Sequence, residues 1–147
     1  MPFRLEIVTA DREVFADDVD FVVVPGADGE LGILSRHAPL ISSLKPGELR
    51  VRRAGHVEFF AVGGGFVQVR PDKVVVLADD AEHSADIDES RAQEARERAE
   101  TELREHPERA ADAMMTLRYA QVRLQVAQRR STRRPRRDEG RGDEGLS

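Results

Sequence analysis

The chain has 147 residues and a mass of 16.4 kDa, room for one domain with a core or for a small domain plus an appendage. Charged residues make up 35% of it, the net charge is −5, and no apolar run approaches the roughly 20 residues of a membrane-spanning helix. With no cysteine, disulfides, thiolate metal sites and a cysteine nucleophile are excluded. Met1–Pro2–Phe3–Arg4 leads straight into alternating Leu5 and Ile7, so no secretory signal is expected and a cytoplasmic setting is the default.

Residues 1–85 read as one strand after another. Phe3, Leu5 and Ile7 alternate with polar neighbours, the period-2 pattern of a half-buried strand. Val14–Phe15 follows, then Val19 and Phe21–Val24, which stop at the turn Pro25–Gly26–Ala27–Asp28–Gly29. Leu31–Leu34 comes next, then a run from Pro39 to Leu44 that Pro46–Gly47 breaks. Leu49 and Val51 precede Ala54–Gly55, and Val57, Phe59 and Ala61 run into Gly63–Gly64–Gly65. Phe66, Val67 and Val69 reach the turn Pro71–Asp72, and Val74–Leu77 is the last strand. Eight or more short strands with regularly spaced turns predict an antiparallel β-sandwich or barrel.

From Asp86 to Arg130 the period changes. Ala92, Ala95, Ala99 and Leu103 mark one helix, with Asp86 and Glu89 as a capping box at its start. Pro107 opens a second helix, whose stripe is Ala110, Met114, Leu117, Ala120, Leu124 and Ala127. Two helices joined by a short turn predict an antiparallel hairpin, so the fold class is α+β. Its stripe is mostly alanine, which buries little apolar area and makes the hairpin detachable. Residues 131–147 carry Arg133–Arg134–Pro135–Arg136–Arg137 and almost nothing apolar, which predicts a disordered arginine-rich tail.

Candidate chemistry is sparse. Gly63–Gly64–Gly65 lacks the lysine and the following helix of a phosphate-binding loop, and reads as a bulge or tight crossing inside a sheet. His37, His56, His83 and His106 show no metal-ligand spacing, although His37 lies in a loop, where binding residues concentrate. No serine sits in a nucleophile elbow, so neither a catalytic residue nor a metal site is expected. Arg91 and Arg98 share one helix face, where arginines can hold a polyphosphate or simply lace a solvated surface. The tail arginines invite nucleic acid, but the body is acidic, with one tyrosine and no tryptophan for stacking.

Several segments, in order, resemble the epsilon subunit of bacterial F-type ATP synthase from about Phe3 to Gln128. They are Gly29–Glu30–Leu31–Gly32–Ile33–Leu34 with His37–Ala38–Pro39–Leu40, then Leu44–Lys45–Pro46–Gly47, then Gly63–Gly64–Gly65–Phe66–Val67–Gln68–Val69, and Ile87–Asp88–Glu89–Ser90–Arg91–Ala92. The resemblance implies a ten-stranded β-sandwich followed by a helical hairpin. It implies a non-catalytic rotor subunit in the central stalk, at the cytoplasmic face of the plasma membrane. Its partners would be the gamma subunit, the c-ring and, through an extended hairpin, the alpha and beta subunits, with no nucleic acid. By resemblance Glu30 and His37 lie on loops facing the c-ring, and a mobile hairpin restrains ATP hydrolysis. Some relatives bind ATP as a regulatory ligand through this hairpin, and Glu82, Ile87, Asp88, Arg91, Ala92, Arg98 and Arg123 match their binding positions. Tyr119 departs from that pattern, standing where those relatives carry an arginine. A free-standing nucleotide-binding or nucleic-acid-binding β-domain is the competing reading.

Overall fold

The computed structural model describes residues 1–139, with side chains through Arg129. Eight strands come first: β1 (Phe3–Val8), β2 (Glu13–Val19), β3 (Phe21–Gly26), β4 (Gly29–Ile33), β5 (Leu40–Arg53), β6 (His56–Val69), β7 (Lys73–Ala78) and β8 (Ala81–His83). Helices α1 (Glu89–Glu105) and α2 (Ala110–Glu139) follow, each preceded by a single 3-10 turn. The strand order is β2-β1-β7-β6-β5-β3-β4, with β8 also on β6.

Two layers arise because β5 and β6 are 14 residues each and run through both. Their ends nearer Leu40 and Val69 lie beside β7, β1 and β2. Their ends nearer Arg53 and His56 lie beside β3, β4 and β8. Counted by halves, the eight strands give five in each layer and ten in all. Pro46–Gly47 and the glycine triplet therefore leave the β5–β6 register unbroken, since Pro46 lies opposite Gly63 and Leu44 opposite Gly65, while the β3–β5 register shifts between Val23 and Gly26. The triplet is the crossing point, where the neighbour of β6 changes from β8 to β7. Only glycine suits Gly65, whose φ is +124° and whose Cβ would lie 2.1 Å from the Leu77 carbonyl oxygen.

Alternation places Leu5 and Ile7 of β1, Val67 and Val69 of β6, and Val74 and Val76 of β7 on the inner face of one layer. Val22, Val24, Ile33, Leu49, Val51 and Phe60 meet them from the other. The edge ring of Phe15 closes on Phe60 at 5.4 Å. Strand β8, three residues long, carries too little pattern to be read from sequence. Among the described strands the pairing of β1 with β7 is the one parallel exception to the antiparallel expectation, the chain returning beside β1 only after five intervening strands.

The hairpin begins differently from the sequence expectation. Asp88, not Asp86, caps α1, its Oδ1 accepting from the Arg91 backbone N–H at 3.1 Å. Asp86 belongs to the preceding 3-10 turn (Ser84–Asp86), which turns Ile87 inward to 4% exposure. Buried Ala92 and Ala99 of α1 face α2, whose buried small residues include Ala113 and Ala120. Small side chains allow the close approach, but the apolar area buried is modest. Helix α2 also continues through 131–139, where a disordered tail was expected. Arginine is a good helix former and extending a formed helix costs far less than starting one, against the backbone hydrogen bond that Pro135 forgoes there. Residues 140–147 of that expected tail lie outside the described residues.

Candidate functional site

The functional geometry lies along the seam between α2 and the sandwich. Val126 and Ala127 are fully buried there against Ala61 and Ile87, with Phe59, Tyr119 and Val122 partly buried around them. Tyr119, Val122 and Val126 recur at i, i+3 and i+7, a second stripe on α2 beside the alanine stripe. The alanine stripe predicts a single buried face for α2, and the i, i+3, i+7 spacing marks the second. Helix α2 is thus apolar on two sides, one meeting α1 and one meeting β6 and β5.

Two ion pairs fasten this seam. Arg123, with its side chain 15% exposed, donates Nε to Glu82 Oε1 at 2.9 Å and lies over the Tyr119 ring at 5.7 Å. Arg129 donates to both oxygens of Glu48, at 2.7 and 3.1 Å, with its guanidinium 5.2 Å from the Phe59 ring centre. Glu48 and Arg129 are 81 positions apart, so no local pattern could have joined them. The Glu48 bond also raises the already high Arg129 pKa, so that guanidinium stays charged.

Tyr119 sits in a demanding place. Its hydroxyl is buried with no hydrogen-bond partner among the described residues. Burial first, then the negative charges of Glu82 and Asp80, push its phenol pKa far above 10, against the opposing pull of Arg123 and Arg12. Nearby, burial and the Asp79 charge raise Asp80 above its usual range, with Arg123 opposing. Two cavities of about 400 Å³ flank this tyrosine. One lies towards Arg12 and β8, the other between Gly63 and the helices.

The residues matched to nucleotide-binding positions are not assembled into a polyphosphate site. Glu82 and Arg123 meet, but they neutralise each other. Ile87 and Ala92 are buried packing residues, and Asp88 is occupied as a helix cap. Arg91 is 80% exposed and leans on Asp88 at 3.6 Å, while Arg98 is exposed on the same helix. Of the two cavities beside Arg123, the one towards β8 is walled by Asp11, Asp79, Asp80 and Glu82 against only Arg12 and Arg123. Four carboxylates facing two guanidinium groups, one of them already paired, repel a phosphate chain. Of the three matched arginines, then, one is paired and two are exposed in this arrangement.

Glu30 and His37 lie at opposite ends of β4. Glu30 is its second residue, in the β3–β4 turn region, and accepts from Arg50 Nη1 at 3.2 Å. His37 lies four residues past Ile33, beside Arg36, Arg70 and Lys73 around a separate cavity of about 120 Å³, with its Nδ1 2.8 Å from the Ala38 carbonyl oxygen. At ~3.3 Å per extended residue the strand holds the two loops well apart. Any partner that touches both must therefore span the length of β4.

Comparison with known proteins fits this two-part architecture. Residues 2–84 match the family model described as ATP synthase, Delta/Epsilon chain, beta-sandwich domain, and residues 85–128 match its long alpha-helix domain. The ATP synthase epsilon chain of Herpetosiphon aurantiacus is 47% identical over 135 residues, covering 90% of this chain and 99% of its own length. The epsilon chain of Halalkalibacterium halodurans is 46% identical, with 86% of this chain and 97% of that one covered. A chain of the Euglena gracilis mitochondrial ATP synthase (OSCP/F1/c-ring) shares the fold, with a TM-score of 0.62 at 21% identity over 89% of this chain and 80% of that one. None of these supports a free-standing nucleotide- or nucleic-acid-binding module, and that reading is set aside. Among the described residues no helix is long and apolar enough to cross a membrane. With both family domains matched in order, the chain belongs to the epsilon chains of ATP synthase, non-catalytic subunits of its stalk.

Proposed function

We propose that the sandwich binds the gamma subunit at the foot of the central stalk, on the cytoplasmic face of a bacterial plasma membrane. Its Glu30 and His37 loops meet the c-ring, so that ion-driven rotation reaches the catalytic sites. The hairpin restrains ATP hydrolysis by leaving the sandwich and extending along gamma towards the alpha and beta subunits. The observation that carries this reading is the construction of the seam. Helix α1 packs chiefly on α2, and α2 holds the sandwich through small or half-buried apolar groups and two ion pairs. The pair of helices can therefore leave as one unit without opening the sandwich core, and two states a few kcal/mol apart are what a switch requires.

The test is reconstitution with and without the hairpin. A chain ending after Asp86 keeps every strand and is expected to co-purify with gamma while relieving the inhibition of ATP hydrolysis. Unchanged hydrolysis in the reconstituted truncated enzyme would remove the inhibitory role, and failure of the full chain to associate with gamma would remove the rotor role. Of the arginines matched to nucleotide positions, Arg123 is paired with Glu82 while Arg91 and Arg98 are exposed, so on this reading closure is held by protein groups alone. Calorimetric titration with millimolar MgATP is expected to show no heat of binding, and a saturable isotherm would overturn that conclusion.

A further inference from the structure

Glu48 is the carboxylate at which two separate parts of the molecule meet. It sits on β5 just past Pro46–Gly47, with its side chain only 9% exposed. From α2, Arg129 grips both of its oxygens. From β5 itself, Arg50 stands two residues away on the same strand face and brings Nη1 to 3.6 Å from Glu48 Oε1. The same Nη1 lies 3.2 Å from Glu30 Oε2, so Arg50 is divided between two carboxylates. Glu30, Arg50, Glu48 and Arg129 thus form a row of alternating charge. It runs from the β3–β4 turn region to α2.

We propose that this row couples the Glu30 loop to the docking of α2, so that capture of Glu30 by a cationic group of a partner loosens the hairpin. The physical reason is competition at Oε1 of Glu48. While Glu30 holds Arg50, the positive charge that Arg129 meets beside Glu48 is partly offset. Once Glu30 is taken away, Arg50 keeps only Glu48, moves onto it and repels Arg129. Linkage makes the effect reciprocal: undocking of α2 leaves Glu48 to Arg50 and frees Glu30 for the partner. Loop engagement and hairpin release therefore favour each other. The identity of the partner rests on the function proposed above, whereas the coupling is a property of the isolated chain.

Hydrogen exchange of the α2 amides from Ala120 to Arg129, in the full-length isolated protein, tests the row. Glu48→Gln removes the shared acceptor and is expected to give the fastest exchange of the set. Glu30→Gln is expected to speed exchange by roughly two- to threefold, the size of an exposed charge-pair effect. The same change in an Arg50→Gln background is expected to do nothing further, because among the described residues Arg50 is the one side chain that bridges Glu30 and Glu48. An equal effect of Glu30→Gln with and without Arg50 would overturn the coupling. So would no effect of Glu30→Gln, or an unchanged rate in Glu48→Gln. Failure to assemble with gamma while this cycle holds would refute the proposed role and leave the coupling standing. Intact assembly with a failed cycle would refute the coupling alone.

Discussion

Gly63 gives the sharpest test of how the hairpin is seated. A methyl group there would lie 3.0 Å from Asp80 Cβ, 3.1 Å from Asp80 Oδ2 and 3.1 Å from Tyr119 Cδ1. Relaxed carbon contacts lie at about 3.5–4.0 Å, so something must move by several tenths of an ångström. Asp80 is poorly placed to do so, because its carbonyl accepts from the Gly63 N–H at 2.8 Å. Tyr119 rides on α2, which holds the sandwich through a small apolar cluster and two ion pairs, so the hairpin is the part that yields. Gly63 is not among the glycines with positive φ, and Gly63→Ala therefore adds no backbone strain. Overpacking of this kind costs about 1–3 kcal/mol. The entropy that alanine removes from the unfolded chain cancels between docked and undocked forms, since the sandwich is folded in both. A shift of about 1–3 kcal/mol would lower the docked-to-undocked ratio roughly 5- to 150-fold. The chain has one tyrosine and no tryptophan, so its intrinsic emission reports Tyr119 and hence this seam directly. The expected result is changed tyrosine emission and faster exchange of α2 amides, with β7 amides unaffected. Unchanged emission and exchange in Gly63→Ala would refute this account of the seam.

Alkaline titration probes the same tyrosine. Its folded-state pKa is raised above 10, so docking keeps its full strength below pH 10 and weakens above it as the phenol ionises. Phenolate absorbance is expected to stay absent at about pH 11, and a rise with an ordinary midpoint near pH 10 would show an unburied ring. Acid acts elsewhere: burial raises the Glu58 pKa, but hydrogen bonds and charge from Arg53 and His83 outweigh it and lower it below 4.5. The stability this contributes is present above pH 4.5 and lost as pH falls through the folded value, so denaturant midpoints of Glu58→Gln should depend less on pH in that range than those of the parent. Asp88→Ala removes the α1 cap and is expected to cost about 1 kcal/mol of hairpin stability, read as lost helical circular dichroism on mild heating with the sandwich transition unchanged.

Local periodicity and turn chemistry suffice to mark most of the elements of this chain. Alternation in Phe3–Val8 and Val74–Leu77, and the proline and glycine turns between strands, mark the β domain because a strand with one buried face must repeat every second residue. The switch to alanines three and four apart marks the hairpin for the corresponding reason in helices. Features that depend on partners distant in sequence emerge only with the folded chain. Leu40–Arg53 and His56–Val69 read as four strands but are two, because a sheet partner can bridge Pro46–Gly47 and Gly63–Gly65 where local propensity breaks. Asp88 displaces Asp86 as the cap because burial of Ile87 fixes where the helix starts. The arginine matched to a nucleotide site turns out to close on Glu82, and Glu48, which carried no signal, binds Arg129 from 81 positions away. A charged side chain advertises its charge in the sequence, but its partner is chosen by the fold, and for this hairpin the partners decide how tightly it is held.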